Sequence, residues 1–175
     1  MESHIIDLYP SRGQVHIALF RNVSNSPELR QRLLQQDATL FCALVNASLV
    51  LNVPHILLAI HRAIHDEQQN QLKTHNIHSE IVFDFSSTIH ISQSLRRFGI
   101  EDTTKDLVVI KVGGEASEAE AFMRKNIQGD LVSLDQLADT RDLKRIQKYY
   151  QTGNQGEDLK MTMQLVTGAM ALKGL

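Results

Sequence analysis

The apolar positions of this chain form short blocks whose period switches between two and roughly three and a half residues. His4 to Tyr9 and Gln14 to Phe20 read as strands, and Pro10-Ser11-Arg12-Gly13 between them has turn chemistry, so an N-terminal hairpin is predicted. Ser26 followed by Pro27 supplies an N-cap and a first-turn proline. The helix they open is predicted to reach about Gln36, with Leu29 and Leu33 facing in. Phe41 to Val53 is apolar but broken by Asn46 and Ser48, and fits a buried extended segment or a short helix. Asn52-Val53-Pro54 opens a clearer helix whose stripe is Ile56, Leu57, Ile60 and Ile64 and which fades in the polar run Asp66 to Gln71.

Leu72 to Ile100 is the stretch around which the chain is organised. Ile81, Phe83 and Phe85 alternate as on one face of a strand, while Ile91, Leu95 and Phe98 have helical spacing and Gly99 offers a left-handed cap. Leu107 to Val112 is a strongly β-branched strand, so residues 81 to 112 read as strand, helix, strand, with a right-handed crossover if the strands are parallel. Ser117-Glu118-Ala119-Glu120 matches a capping box for a helix to about Ile127, with Gly129 as its stop, and Asp130 to Ser133 fits a short strand. Asp135 to Tyr150 has helical character, with Leu143, Ile146 and Tyr150 on one side and Arg141, Lys144, Arg145 and Lys148 making a basic face. The last helix, Glu157 to Lys173, carries Leu159, Met163, Val166 and Met170 at heptad-like spacing, a stripe widened by Met161, Leu165, Ala169 and Leu172. A stripe that wide serves core packing, a partner helix, or both. The class these elements predict is α+β: one domain over residues 1–175, with helices packed on a small mixed β-sheet.

At 175 residues, 42% hydrophobic and 22% charged, the chain can build a sizeable core. A formal net charge of −2 excludes a global basic field, so any nucleic-acid binding requires a local patch. The single cysteine, Cys42, cannot pair internally, and neither a signal-like segment nor an apolar run of spanning length is evident; a soluble intracellular protein is expected.

Candidate chemistry is sparse. His61 and His65 share a helix face with Asp66 nearby, a zinc-compatible spacing, but Arg62 stands where a metalloprotease motif has its glutamate. Cys42 sits in an apolar run as an inert thiol, Ser86 and Ser87 lack a nucleophile-elbow frame, and Gly113-Gly114 opens no phosphate loop. No catalytic set, metal or cofactor is predicted; a small metal-assisted hydrolase using His61 and His65 is the alternative. Around the central stretch, Lys73, Arg96 and Arg97 can supply phosphate contacts, and His75, His78 or His90 can stack or donate; the same residues also fit a solvated polar rim.

The chain resembles the kinase-binding subunit family of the KEOPS (EKC) complex, the TPRKB family, almost end to end. The resemblance is carried by Ala18-Leu19-Phe20, Val23 and Asn25 to Arg30. It continues through Lys73-Thr74, Ser79-Glu80, Ile91-Ser92, Leu95 and Phe98-Gly99-Ile100. It closes with Val132-Ser133-Leu134, Lys144-Arg145-Ile146 and Leu172-Lys173-Gly174-Leu175. It implies an α+β fold and a non-enzymatic subunit that binds the complex's small atypical kinase, PRPK in animals, and supports its ATPase. It also implies help in holding tRNA, notably the CCA end, while a separate metal-dependent transferase subunit places threonylcarbamoyl on the adenosine beside the anticodon. Links to telomere maintenance and transcription, and a cytoplasmic and nuclear location, come with it. For RNA it points to Lys73, with His75, Arg96 and Arg97 beside it; His75 stands where the family has Arg, Asn76 where it has Thr, His90 where it has Asn and Ser87 where it commonly has Pro. For the kinase the expected contacts are Met163, Val166, Met170, Leu172 and Leu175. A stand-alone RNA-binding module is the other alternative.

Overall fold

The β-branched block at residues 107–112 becomes the strand through which the sheet is joined. In the computed structural model, which describes residues 1–174, five strands form one sheet: β1 (Glu2–Ile5), β2 (Gln14–Arg21), β3 (Ala43–Asn46), β4 (Leu107–Val112) and β5 (Asp130–Val132). The order is β1-β2-β4-β3; β1 pairs with residues 14–17 of β2 and β5 with residues 19–21, so both lie along the same edge of β2. The predicted hairpin is β1 and β2, and the ambiguous run after Phe41 is β3 followed by a single 3-10 turn at Ala47–Leu49.

Strand alternation divides the core in two. Val15, Ile17 and Leu19 of β2 share a face with Val108, Ile110 and Val112 of β4 and with Ala43 and Val45 of β3. Ala18, Phe20, Leu44, Leu107 and Val109 line the other face. Helices α1 (Ser26–Leu34) and α5 (Ala116–Asn126) cover the second face through Leu29 and Met123. The first face carries α2 (Val53–Gln68), α3 (Ile77–Asp84), α4 (Ile91–Phe98), α6 (Leu137–Thr140), α7 (Leu143–Tyr150) and α8 (Leu159–Ala171). The fold is α+β, and among the described residues no helix is long and apolar enough to cross a membrane.

Several expectations need correction. Residues 81–85 are not a strand: Ile77–Asp84 is α3, opened by Asn76, whose side chain accepts from the His78 and Ser79 amides. Ile77, His78, Glu80, Ile81, Val82, Phe83 and Asp84 are all buried. A helix buried all round has no polar stripe to reveal its period. With that strand gone there is no parallel crossover, and every described strand pairing is antiparallel, so the sheet is not mixed. Leu33 is 38% exposed rather than inward-facing. The capping box at Ser117 does not form, because the N-cap of α5 is Glu115, two residues earlier; the helix ends near Ile127 as expected, with Ile127 itself and not Gly129 at its C-cap. The helix expected over 135–150 breaks before α7, where Asp142 accepts from Arg145 N and gives its own amide to Ser48 O at 2.7 Å.

Gly99 is needed for a different reason from the one predicted. It is extended (φ −76°, ψ −179°) and bridges to Val45 at the sheet's β3 edge. A Cβ there would lie 2.4 Å from Leu95 O. Gly99→Ala is therefore expected to cost about 1–3 kcal/mol in urea unfolding, the range for forced overpacking; wild-type stability would show that the α4 end yields freely.

Across the first face runs a buried relay. Leu51 N–H donates to His55 Nδ1 at 3.2 Å, which leaves the proton on Nε2, 2.9 Å from the Tyr150 hydroxyl; that hydroxyl donates to Phe85 O. Burial holds His55 down at about 3, so it folds neutral. Its folded value lies below the unfolded one, so the stability it contributes is present above about pH 6.5 and is lost as pH falls toward 3. In that window stability should fall by about 1.4 kcal/mol per pH unit for each such histidine. A denaturation series from pH 7 to 4 should show a slope shallower by one proton in His55→Gln; equal slopes would contradict the buried neutral ring.

Candidate functional site

Three surfaces contain the residues that the sequence singles out. The first is the loop before α3. Its shape is set from below by Glu80, which is fully buried and accepts from Lys73 N at 3.0 Å, Thr74 N at 2.8 Å and Thr74 Oγ1 at 2.7 Å. Lys73 and His75 are thereby left exposed at the loop's tip, with Lys73 Nζ 2.9 Å from Gln71 O. His78 does not join them. It is buried, its Nε2 accepts from Val112 N at 3.1 Å, and burial pushes it down to about 3. Its ring meets Phe41 edge-on at 4.2 Å.

The second surface is basic and aromatic and belongs to α4 and α7. Arg97 lies over the Tyr149 ring at 4.8 Å and Arg145 at 5.5 Å. Arg145 also donates to the Tyr149 hydroxyl at 3.2 Å and to Glu101 at 3.3 Å. Arg96, Lys144 and Lys148 are exposed on the same two helices. Lys73 and the arginine pair thus do not form one set: among the described residues no hydrogen bond, ion pair or stacking contact links them, and each group has its own support.

The third surface is α8, whose wide apolar stripe separates into two faces. Val166 and Met170 are core residues, 0% and 2% exposed, and Met163 is half-buried against them. As partner contacts, Val166 and Met170 are corrected: the core has already taken them. The outward face is Met161, Leu165 and Leu172, exposed by 42%, 37% and 65%, with Gly168 between them; a Cβ on Gly168 would meet no atom within 4 Å. Leu175 lies outside the described residues.

The end of α8 is fixed by groups that the sequence reading missed. Arg62 of α2 donates to Met170 O at 2.6 Å and to Lys173 O at 2.9 Å. The buried Lys173 ammonium donates to Phe83 O at 2.6 Å and to Asp84 Oδ1 at 3.2 Å. Burial raises Asp84 to about 7 against the pull of Lys173, and lowers Lys173 to about 8 against the pull of Asp84. Glu80 and Asp84, four apart on α3, were the available signal, hidden because residues 81–85 read as a strand.

The alternative chemistries find no centre. Among the described residues, the one group of three ligands close enough to share a metal is Asp66, Glu80 and Asp84, which excludes His61 and His65. His65 Nδ1 pairs instead with the Tyr9 hydroxyl. Glu80 is occupied by the loop, and Arg62 and Lys173 already bring positive charge to Asp84. Cys42 is buried and its thiol is pushed up to about 12, a poor nucleophile at neutral pH.

A family model described as kinase binding protein CGI-121 matches residues 20–174. The chain is 41% identical over 174 residues to a protein of Aspergillus fumigatus named EKC/KEOPS complex subunit cgi121, covering 94% of this chain and 92% of that one. It is 32% identical to the Yarrowia lipolytica subunit of that name, covering 92% and 94%. It is 30% identical to the Schizosaccharomyces pombe subunit, covering 97% and 98%.

Glu80→Ala is expected to raise amide exchange at Lys73 and Thr74 well above that of the rest of the chain, since both lose their acceptor. Unchanged protection at those two amides would show that the loop holds its shape without Glu80.

Proposed function

The chain belongs to the CGI-121 family of kinase-binding proteins, and from that premise we propose that it is a non-catalytic subunit of a KEOPS complex. In this reading it binds the complex's small atypical kinase and supports its ATPase. It also helps to hold the CCA end of tRNA while the metal-dependent transferase subunit places threonylcarbamoyl on the adenosine beside the anticodon.

The observation that carries the kinase contact is the outward face of α8. Met161, Leu165, Gly168 and Leu172 follow a 4-3-4 spacing on the side opposite Val166 and Met170. A mid-helix glycine costs roughly 1 kcal/mol against alanine, and open space at Gly168 leaves no internal packing reason for it. A partner backbone approaching at that point supplies one. Leu165→Glu with Leu172→Glu should therefore abolish binding of the purified kinase subunit, with circular dichroism and melting unchanged. Val166→Glu should instead unfold the chain, since it buries a charge in the core. Wild-type kinase affinity in the outer-face double variant would refute the assignment.

For RNA, the exposed Lys73 supplies one cationic edge with His75 exposed on the same loop, and Arg96 with Arg97, the latter over Tyr149, supply another. Each lysine or arginine that meets a single-strand phosphate contributes about −0.7 to the slope of log affinity against log salt. Lys73→Ala should make the slope shallower by that amount on intact tRNA and leave it unchanged on tRNA lacking CCA. Equal slopes on intact tRNA would remove Lys73 from the interface.

A further inference from the structure

Resting on the reading of α8 as the kinase face, we propose that Lys173, Asp84 and Arg62 form a latch that fixes how the last turn of α8 is presented to the kinase. Helix α8 ends at Ala171, and the last carbonyls of any helix lack partners within it. Arg62 reaches across from α2 and takes two carbonyls at this end, those of Met170 and Lys173. Lys173 then turns inward. It is 5% exposed, and its ammonium sits 3.1 Å from the centre of the Phe83 ring while donating to Phe83 O and Asp84 Oδ1. Arg62 Nε stands 3.6 Å from the same Asp84 oxygen, so two cations from different parts of the chain converge on one carboxylate.

The consequence appears one residue earlier. Leu172 is 65% exposed, so neighbouring side chains point in opposite directions, one into the latch and one to solvent. A methionine or leucine at 173 would cover Phe83 without desolvating a charge. What the ammonium adds is direction: it has to reach one carbonyl and one carboxylate, and that fixes the rotation of the last turn and with it Leu172 relative to Leu165 and Met161.

The latch has a charge window. Asp84 titrates near 7 and Lys173 near 8, both because they are buried. Facing them are Arg62 and Asp66 from α2 and Glu80 from α3, with Asp66 and Glu80 bringing carboxylate oxygens within 4.8 Å of Asp84. His61 and His65 line the cleft that also contains Arg62, Asp66, Ala171 and Lys173. Acid neutralises Asp84 and base neutralises Lys173, so the doubly charged pair is most populated between the two values and declines on either side.

The test is the affinity of the full chain for the purified small kinase of its own complex, measured from pH 6 to pH 9. Lys173→Met should weaken binding by about tenfold at neutral pH, and Asp84→Asn should add little in that background, as expected of two groups acting through one interaction. Wild-type affinity should peak near neutrality and fall on both sides, while Lys173→Met gives a flat profile; a purely structural lysine would leave the two profiles parallel. Should Lys173→Met fail to fold, Asp84→Asn takes its place as the reference, and a wild-type profile parallel to it overturns the latch. Leu165→Glu separates the two ideas. If it abolishes binding while Lys173→Met binds as wild type, the latch is wrong and the kinase face stands. If neither variant changes affinity, the kinase face is wrong and the latch falls with it.

Discussion

Two carboxylates buried one turn apart on α3 organise the working surfaces of this molecule. Glu80 is 0% and Asp84 1% exposed, on a helix with no solvent face. Stripping the partner from a buried charge costs about 3–5 kcal/mol, so each must be answered by something from elsewhere in the chain. Glu80 is answered by the backbone and hydroxyl donors of Lys73 and Thr74, and this fixes the loop that exposes Lys73 and His75. Asp84 is answered by Arg62 and Lys173, and this closes the C-terminal end against α2 and α3. One buried helix thus holds both the proposed RNA edge and the end of the proposed kinase helix, while the His55–Tyr150–Phe85 relay joins α2 and α7 to its C-terminal end.

How much was legible in the sequence follows from the same fact. Half-buried elements were readable. Helix α2 behind its Asn52 cap and α7 with its opposed polar and apolar sides each have a wet face that carries the period, whereas β2 and β4, buried on both faces, were legible from their apolar, β-branched runs and the turn residues that bound them. Helix α3 has none, so Ile81, Phe83 and Phe85 displayed an accidental alternation, and the error spread to an expected crossover and a mixed sheet. The α8 stripe failed differently. Its apolar positions were identified, but the split between Val166 and Met170 inside and Leu165 and Leu172 outside depends on where α2 lies, a long-range fact. Arg62 and Lys173 were invisible as partners because they stand 111 positions apart and meet only over Asp84. Lys73, His75 and Arg96 are exposed and Arg97 partly so, but they do not gather into one set, because Glu80 fixes the loop that carries the first two and Tyr149 holds Arg97 elsewhere.

The functional reading follows from that division of labour. Helix α8 presents apolar area with a gap at Gly168 and a last turn fixed from behind. A family defined by kinase binding fits such a surface. It separates the side that stabilises the fold from the side free to meet a partner, so the two can be perturbed independently.

Hydrogen–deuterium exchange of the full chain, with and without the purified small kinase of its complex, measures that separation directly. Slowed exchange concentrated in residues 159–174, with α1, α5 and the loop at 72–76 unchanged, is the predicted result. Slowed exchange over α1 and α5, on the opposite face of the sheet, with α8 unaffected, would contradict it.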